Sequence, residues 1–153
     1  MASHKDLTGA DLHEPKGVAA ASAGQVYVAD GAGSGAWSAL PVAQIALTRV
    51  IADVSTAGDV RISCPVTGVV AYITAVLEGA LSVADATVSF HIGAVSIDTA
   101  DLTISSAGVA GSQYNSTPTG HNDVAVGDVI KITTDGASTG TAELVVTLLI
   151  NVS

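Results

Sequence analysis

The stretch ATVSFHIG, residues 86–93, decides the fold class. Val88, Phe90 and Ile92 fall on one side of an extended chain, and Thr87, Ser89 and His91 on the other. Side chains of a strand point to opposite faces in turn, so a period of two predicts a half-buried β-strand. Working outward, short runs rich in β-branched residues recur between turn signals at the spacing of sandwiches and barrels. They predict strands over 46–54, 59–66, 68–79, 86–93, 101–106, 128–135 and 141–151. SAGVAGSQYNSTPTGHNDVAVG (106–127) reads as a long connection. LVVTLLI (144–150) differs from the others. It is almost continuously apolar, which predicts a strand covered on both faces. No segment places apolar residues at i, i+3, i+4 and i+7 between charged positions, so little helix is expected.

Composition agrees with an all-β chain that meets partners. The sequence has 153 residues, 48% apolar but only 3% aromatic and 12% charged. An average domain carries about 25% charged residues, so the polar surface is thin and part of it is expected to be covered by other copies or a partner. Fourteen acidic residues stand against five basic ones, a net charge of −9. There is no Lys/Arg cluster to neutralise phosphates, so no nucleic acid partner is expected. No apolar run approaches a membrane span, and MASHKDLTG (1–9) lacks the apolar stretch of a secretory signal, so neither membrane nor leader is expected. The lone Cys64 excludes an intrachain disulfide framework and reads as a small buried residue.

Three segments follow from punctuation. Residues 1–24, with Gly9, Pro15, Gly17 and VAAASAG, read as an extended arm. QVYVADGAGSGAWSAL (25–40) reads as a β-hairpin, with DGAGSG as its turn, Trp37 on the returning strand and Pro41 as the boundary, giving a hairpin segment of 25–41. Residues 42–153 read as one β-sandwich.

Chemistry is sparse. LHEPKG (12–17) puts His13 beside Glu14, but a zinc helix needs a second His four positions on, where Gly17 stands, and Pro15 opposes a helix. The better reading is a pre-shaped handle: Pro15 pushes Glu14 into an extended conformation, Leu12 offers an apolar anchor, Lys16 a charge and Gly17 a bend. DGAGSG lacks the Lys-Ser/Thr of a phosphate loop. Asp85, Asp98, Asp101, Asp123, Asp128 and Asp135 stand at strand starts and turns, where aspartate caps backbone amides, and no D-x-D-x-D spacing points to calcium. There is no G-x-S-x-G elbow for a nucleophile. His91 reads as a packed or intersubunit residue, His121 as a loop hydrogen-bonder. No enzyme activity, cofactor or metal is expected.

Two stretches carry a resemblance. LHEPKGVAAASAGQVYVADGAGSGAWS (12–38) resembles an N-terminal element of tailed-bacteriophage virion proteins, and residues 51–93 with 118–150 resemble phage head decoration, or cement, proteins with a jelly-roll-like domain. The resemblance implies a jelly-roll-like β-sandwich preceded by the arm and hairpin. It implies a homotrimer that binds the major capsid protein on the outside of the head, in a virion assembled in the host cytoplasm. Leu12, His13, Glu14, Pro15, Lys16 and Gly17 would then contact the capsid, and Trp37 and His91 would be intersubunit residues. Val70, Tyr72, Phe90, Ile92, Ile130, Leu144, Val146 and Leu148 would build the core or a seam between copies. Competing roles are the attachment base of a head or tail fibre, for which no shaft sequence follows, and a carbohydrate-binding module, for which Trp37 stands alone as a platform.

Overall fold

The computed structural model describes residues 21–32, 35–40 and 42–153; LHEPKG (12–17) lies outside them. The chain divides into two compact units, Met1–Pro41 and Val42–Ser153. No helix occurs among the described residues.

In the first unit, β1 (Gln25–Ala29) and β2 (Gly35–Ala39) form an antiparallel hairpin. Tyr27 lies across from Trp37, and their rings meet edge to face at 5.4 Å between centroids. Asp30 Oδ1 accepts the Ala32 amide at the start of the turn.

The second unit contains β3 (Gln44–Ile51), β4 (Gly58–Ser63), β5 (Gly68–Leu77), β6 (Ala86–Ile92), β7 (Val95–Ser96), β8 (Leu102–Ile104), β9 (Gln113–Ser116), β10 (Asp123–Val124), β11 (Val129–Thr134) and β12 (Leu144–Val152). They make two antiparallel sheets. One runs β3, β12, β5, with β10 along the start of β5 and β9 along its end. The other runs β4, β11, β6, with β8 along the start of β6 and β7 along its end. The chain therefore changes sheet at each of the steps β3 to β4, β4 to β5 and β5 to β6, and again from β8 to β9, β10 to β11 and β11 to β12. The result is an all-β sandwich.

Apolar residues at alternate positions of both sheets meet in one core. Val88 and Phe90 of β6, Ile130 and Ile132 of β11, and Leu144, Val146, Leu148 and Ile150 of β12 are fully buried in it. Ile92 is half-buried against the same cluster. Thr87, Ser89 and His91 occupy the opposite face of β6, as the alternation in ATVSFHIG dictates.

Of the residues expected in the core or in a seam between copies, Tyr72 stands outside the core. Along β5 the register with β12 shifts: Leu149 opposes Tyr72, while Ile150 opposes Val70. Ala71 is the extra residue of a β-bulge, and one extra residue reverses the side-chain parity of everything beyond it. Val70 and Ile73 therefore both point inward, whereas Tyr72 is only half-buried and lies on the outer face. A correction concerns 106–127: that connection contains β9 and β10, each pairing with β5 over only a few residues. In LVVTLLI one set of side chains fills the core, while Val145, Thr147 and Leu149 stand half-buried on the outer face.

Truncating Phe90 to Ala is expected to cost about 3–5 kcal/mol, because it empties a fully packed site. Tyr72→Ala is expected to cost under about 1 kcal/mol, the worth of cross-strand contacts alone. Urea unfolding of both variants in dilute solution measures the difference; equal costs would place Tyr72 inside.

Candidate functional site

The two outer faces of the sandwich are chemically unlike. On the β4-β11-β6 face, the register lines up Arg61, Lys131, His91 and Ser96 across four strands. The next outward row is Asp59, Thr133 and Ser89. Asp59 Oδ1 accepts the Thr133 hydroxyl at 2.7 Å, and Asp59 Oδ2 accepts from Arg61 at 3.1 Å. The Thr133 hydroxyl, with the charges of Lys131, Arg61 and His91, holds the Asp59 carboxyl below its ordinary value against a smaller desolvation effect. His91 Nδ1 is enclosed without a hydrogen-bond partner. This face is wet, polar and charged.

The β3-β12-β5 face carries almost no charge. Its rows follow from the register. Val50, Val145 and Val76 lie side by side, then Thr48, Thr147 and Thr74, then Ala46, Leu149 and Tyr72, then Gln44, Asn151 and Val69. Beyond Val76 and Thr74, β9 adds Gln113 and Asn115. Asp123 stands opposite Val69 at one corner, and the exposed Glu78 and Glu143 continue the outward positions just past Val76 and Val145. Several polar groups are tied to one another laterally: Gln44 Nε2 donates to Asn151 Oδ1 at 2.7 Å, Gln113 Nε2 donates to Thr74 Oγ1 at 3.1 Å, and the Thr48 and Thr147 hydroxyls share a hydrogen bond at 3.0 Å. Groups already paired within the face need give up less water when something covers it.

The connections at the two ends are shaped by aspartates bonding backbone amides. Asp85 Oδ1 accepts from Ser106 at 2.7 Å, Asp128 Oδ2 from Ala125 at 2.8 Å, and Asp135 from both Thr87 and Ala137 at 3.0 Å. Asp98 instead pairs with His121, Oδ2 to Nδ1, at 2.9 Å. Thr99 and His121, flanking that contact, both adopt left-handed backbone, with φ of 55° and 49°. The Thr99 hydroxyl bonds the Thr117 carbonyl and the Thr119 hydroxyl, which fixes the strained turn.

A cleft of about 250 Å³ opens beside the β3–β4 connection, with Ile51, Val60 and Ile132 as floor and Asp53, Thr56 and Asp59 at its rim. Its carboxylates are engaged locally: Asp53 bonds Ser55 and Thr56, and Asp59 bonds Thr133 and Arg61. No cluster of three or more His, Cys, Asp or Glu side chains able to hold a metal ion occurs among the described residues. Cys64 is buried, its Sγ against the Val66 carbonyl at 3.2 Å.

Leu12, His13, Glu14, Pro15, Lys16 and Gly17 lie outside the described residues. The structure places Trp37 on the hairpin against Tyr27, and His91 in the cationic row of the sandwich, so these two residues belong to different units. The outer β3-β12-β5 face is assembled from several strands by the register. Its signal was present in LVVTLLI, whose outward residues are nearly as apolar as its inward ones. No protein-family model, curated protein or solved structure matches the chain.

Asp53, Asp59, Asp85 and Asp135 all titrate below the ordinary carboxylate value of 3.8. For Asp53 the Ser55 and Thr56 hydroxyls lead, and for Asp85 the Ser106 amide. For Asp135 partial desolvation pushes upward but is outweighed by the amides of Ala137 and Thr87. A carboxyl depressed on folding contributes stability above its unfolded value and loses it as pH falls through the folded one. Unfolding free energy is therefore expected to be flat from neutral pH to about pH 5 and to fall below about pH 4. Asp85→Asn and Asp135→Asn should each flatten that fall; urea titrations across the range measure it.

Proposed function

We propose that this protein is a decoration, or cement, protein of a tailed-phage head, binding the major capsid protein on its outer surface. The observation that carries this reading is the strand order. Counting β9 with β10 and β7 with β8 as one strand each, the order β3-β12-β5-β9/β10 packed on β4-β11-β6-β8/β7 is read here as a jelly roll of eight strands. Jelly rolls recur in viral capsid proteins, lectins and cupins. A cupin role would call for clustered His and acidic ligands, and none occurs among the described residues. A sugar site would call for an open aromatic platform, whereas Trp37 is packed edge to face on Tyr27. The virion reading also accounts for the acidic charge, suited to an outer and not a DNA-facing surface, and gives LHEPKG, ahead of the described strands in the sequence, the role of a handle. On this account the protein works by binding: each contact is moderate, and repetition over the lattice adds avidity.

The test uses purified phage heads that lack the protein. The full chain is expected to bind saturably at a stoichiometry set by the capsid lattice. Leu12→Ala/Pro15→Ala is expected to bind at least about tenfold more weakly, the worth of one buried apolar anchor. Failure of the full chain to bind rejects the decoration reading. Equal binding by the double variant rejects LHEPKG as the handle.

A further inference from the structure

We infer that Asp30–Gly31, in the turn of the β1–β2 hairpin, is a site of spontaneous isoaspartate formation, and that the fold protects the matching pair Asp135–Gly136. The inference is independent of capsid binding.

The chain holds two Asp-Gly pairs, and both continue into alanine: residues 30–32 and 135–137 each read Asp-Gly-Ala. Glycine has no Cβ to obstruct attack by its own amide nitrogen. The reaction needs nothing but water. The Gly31 nitrogen attacks Asp30 Cγ and a C–N bond forms. The nitrogen gives up its proton and the carboxyl its hydroxyl, which leave as water and close a succinimide. Water then adds across one of the two ring C–N bonds. Opening at Cγ returns aspartate. Opening at the backbone carbonyl carbon leaves the chain running through Cβ and Cγ, with an added backbone carbon and a free α-carboxylate.

The two pairs have the same local geometry. Asp30 Oδ1 accepts the Ala32 amide at 2.8 Å, and Asp135 Oδ1 accepts the Ala137 amide at 3.0 Å. Gly31 and Gly136 are both left-handed, with φ of 77° and 69°. Neither sequence nor turn separates them, so any difference in rate comes from what surrounds each turn.

Asp135 is tied to β6: its Oδ2 accepts the Thr87 amide at 3.0 Å, and its own amide donates to the Thr87 carbonyl at 3.1 Å. Gly136 sits against the β3–β4 connection, where a Cβ would stand 2.7 Å from the Ala57 nitrogen. Cyclisation requires the carboxyl to swing onto the next peptide nitrogen while that peptide turns. At Asp135–Gly136 this breaks the bonds to Thr87 and lifts the glycine off Ala57. At Asp30–Gly31 both residues are exposed, and a Cβ on Gly31 would meet nothing within 4 Å. The sheet that this turn closes has two strands among the described residues. Two-stranded hairpins are marginally stable, so such a turn opens more readily than one anchored to a packed sandwich. Ageing is thereby directed to the hairpin and spares the sandwich.

The full chain, held folded at neutral pH and physiological temperature and sampled over weeks, tests this. Trypsin places the two pairs in separate peptides, residues 17–49 and 132–153, and Asp30 is the sole Asp or Asn of the first. Electron-transfer fragmentation distinguishes isoaspartate from aspartate in each. Isoaspartate is expected to accumulate at residue 30 at least about tenfold faster than at residue 135. In urea sufficient to unfold the sandwich the two rates should become equal, because the fold alone separates them. No isoaspartate at residue 30, equal rates in the folded protein, faster modification at residue 135, or a difference that persists in urea each overturns the inference.

Discussion

β12 hydrogen-bonds along its length to β3 on one side and to most of β5 on the other, and the rest of the sandwich is arranged around that strand. Its inward residues Leu144, Val146, Leu148 and Ile150 are all fully buried, so they fix both the register of the sheet and the depth of the core. A slip by one residue would exchange this set for Val145, Thr147, Leu149 and Asn151, and place a hydroxyl and an amide in an apolar interior. The pairing is also long-range: Thr48 and Thr147, hydrogen-bonded across it, are 99 residues apart in the chain. Such long-range closure is slow in folding.

The bulge at Ala71 links this constraint to the surface. Without it, Tyr72 would share the side of Val70, and the outer face would lose the aromatic that lies beside Leu149. With it, a sheet that is dry on the inside presents a flat, nearly uncharged layer on the outside, while the cations of β4 and β11 and the imidazole of β6 gather on the opposite face.

Much of the fold was legible because a central strand alternates cleanly: ATVSFHI states which side faces the core, whereas VIKITT begins with an outward Val129 beside an inward Ile130. The edges were not. QYNS and DV pair along β5 but turn few apolar residues inward, chiefly Tyr114 and Val124, so no period of two stands out from the polar loop around them. The bulge was hidden for a related reason: GVVAYITAVL is apolar at nearly every position, and a reversal of parity leaves no mark in such a run. The turn-capping role of Asp85, Asp128 and Asp135 was readable from position. Of the outer β3-β12-β5 face only the β12 row was, in LVVTLLI; the rest arises from strands that only the register brings together.

The account rests on the parity of β12, and methyl NMR with a soluble paramagnetic probe tests it most directly. In dilute solution the methyls of Val145 and Leu149 should be broadened by the probe, while those of Val146 and Leu148 stay sharp. Equal broadening of both pairs, or broadening of Val146 and Leu148 alone, would contradict the register and, with it, both the core and the uncharged face.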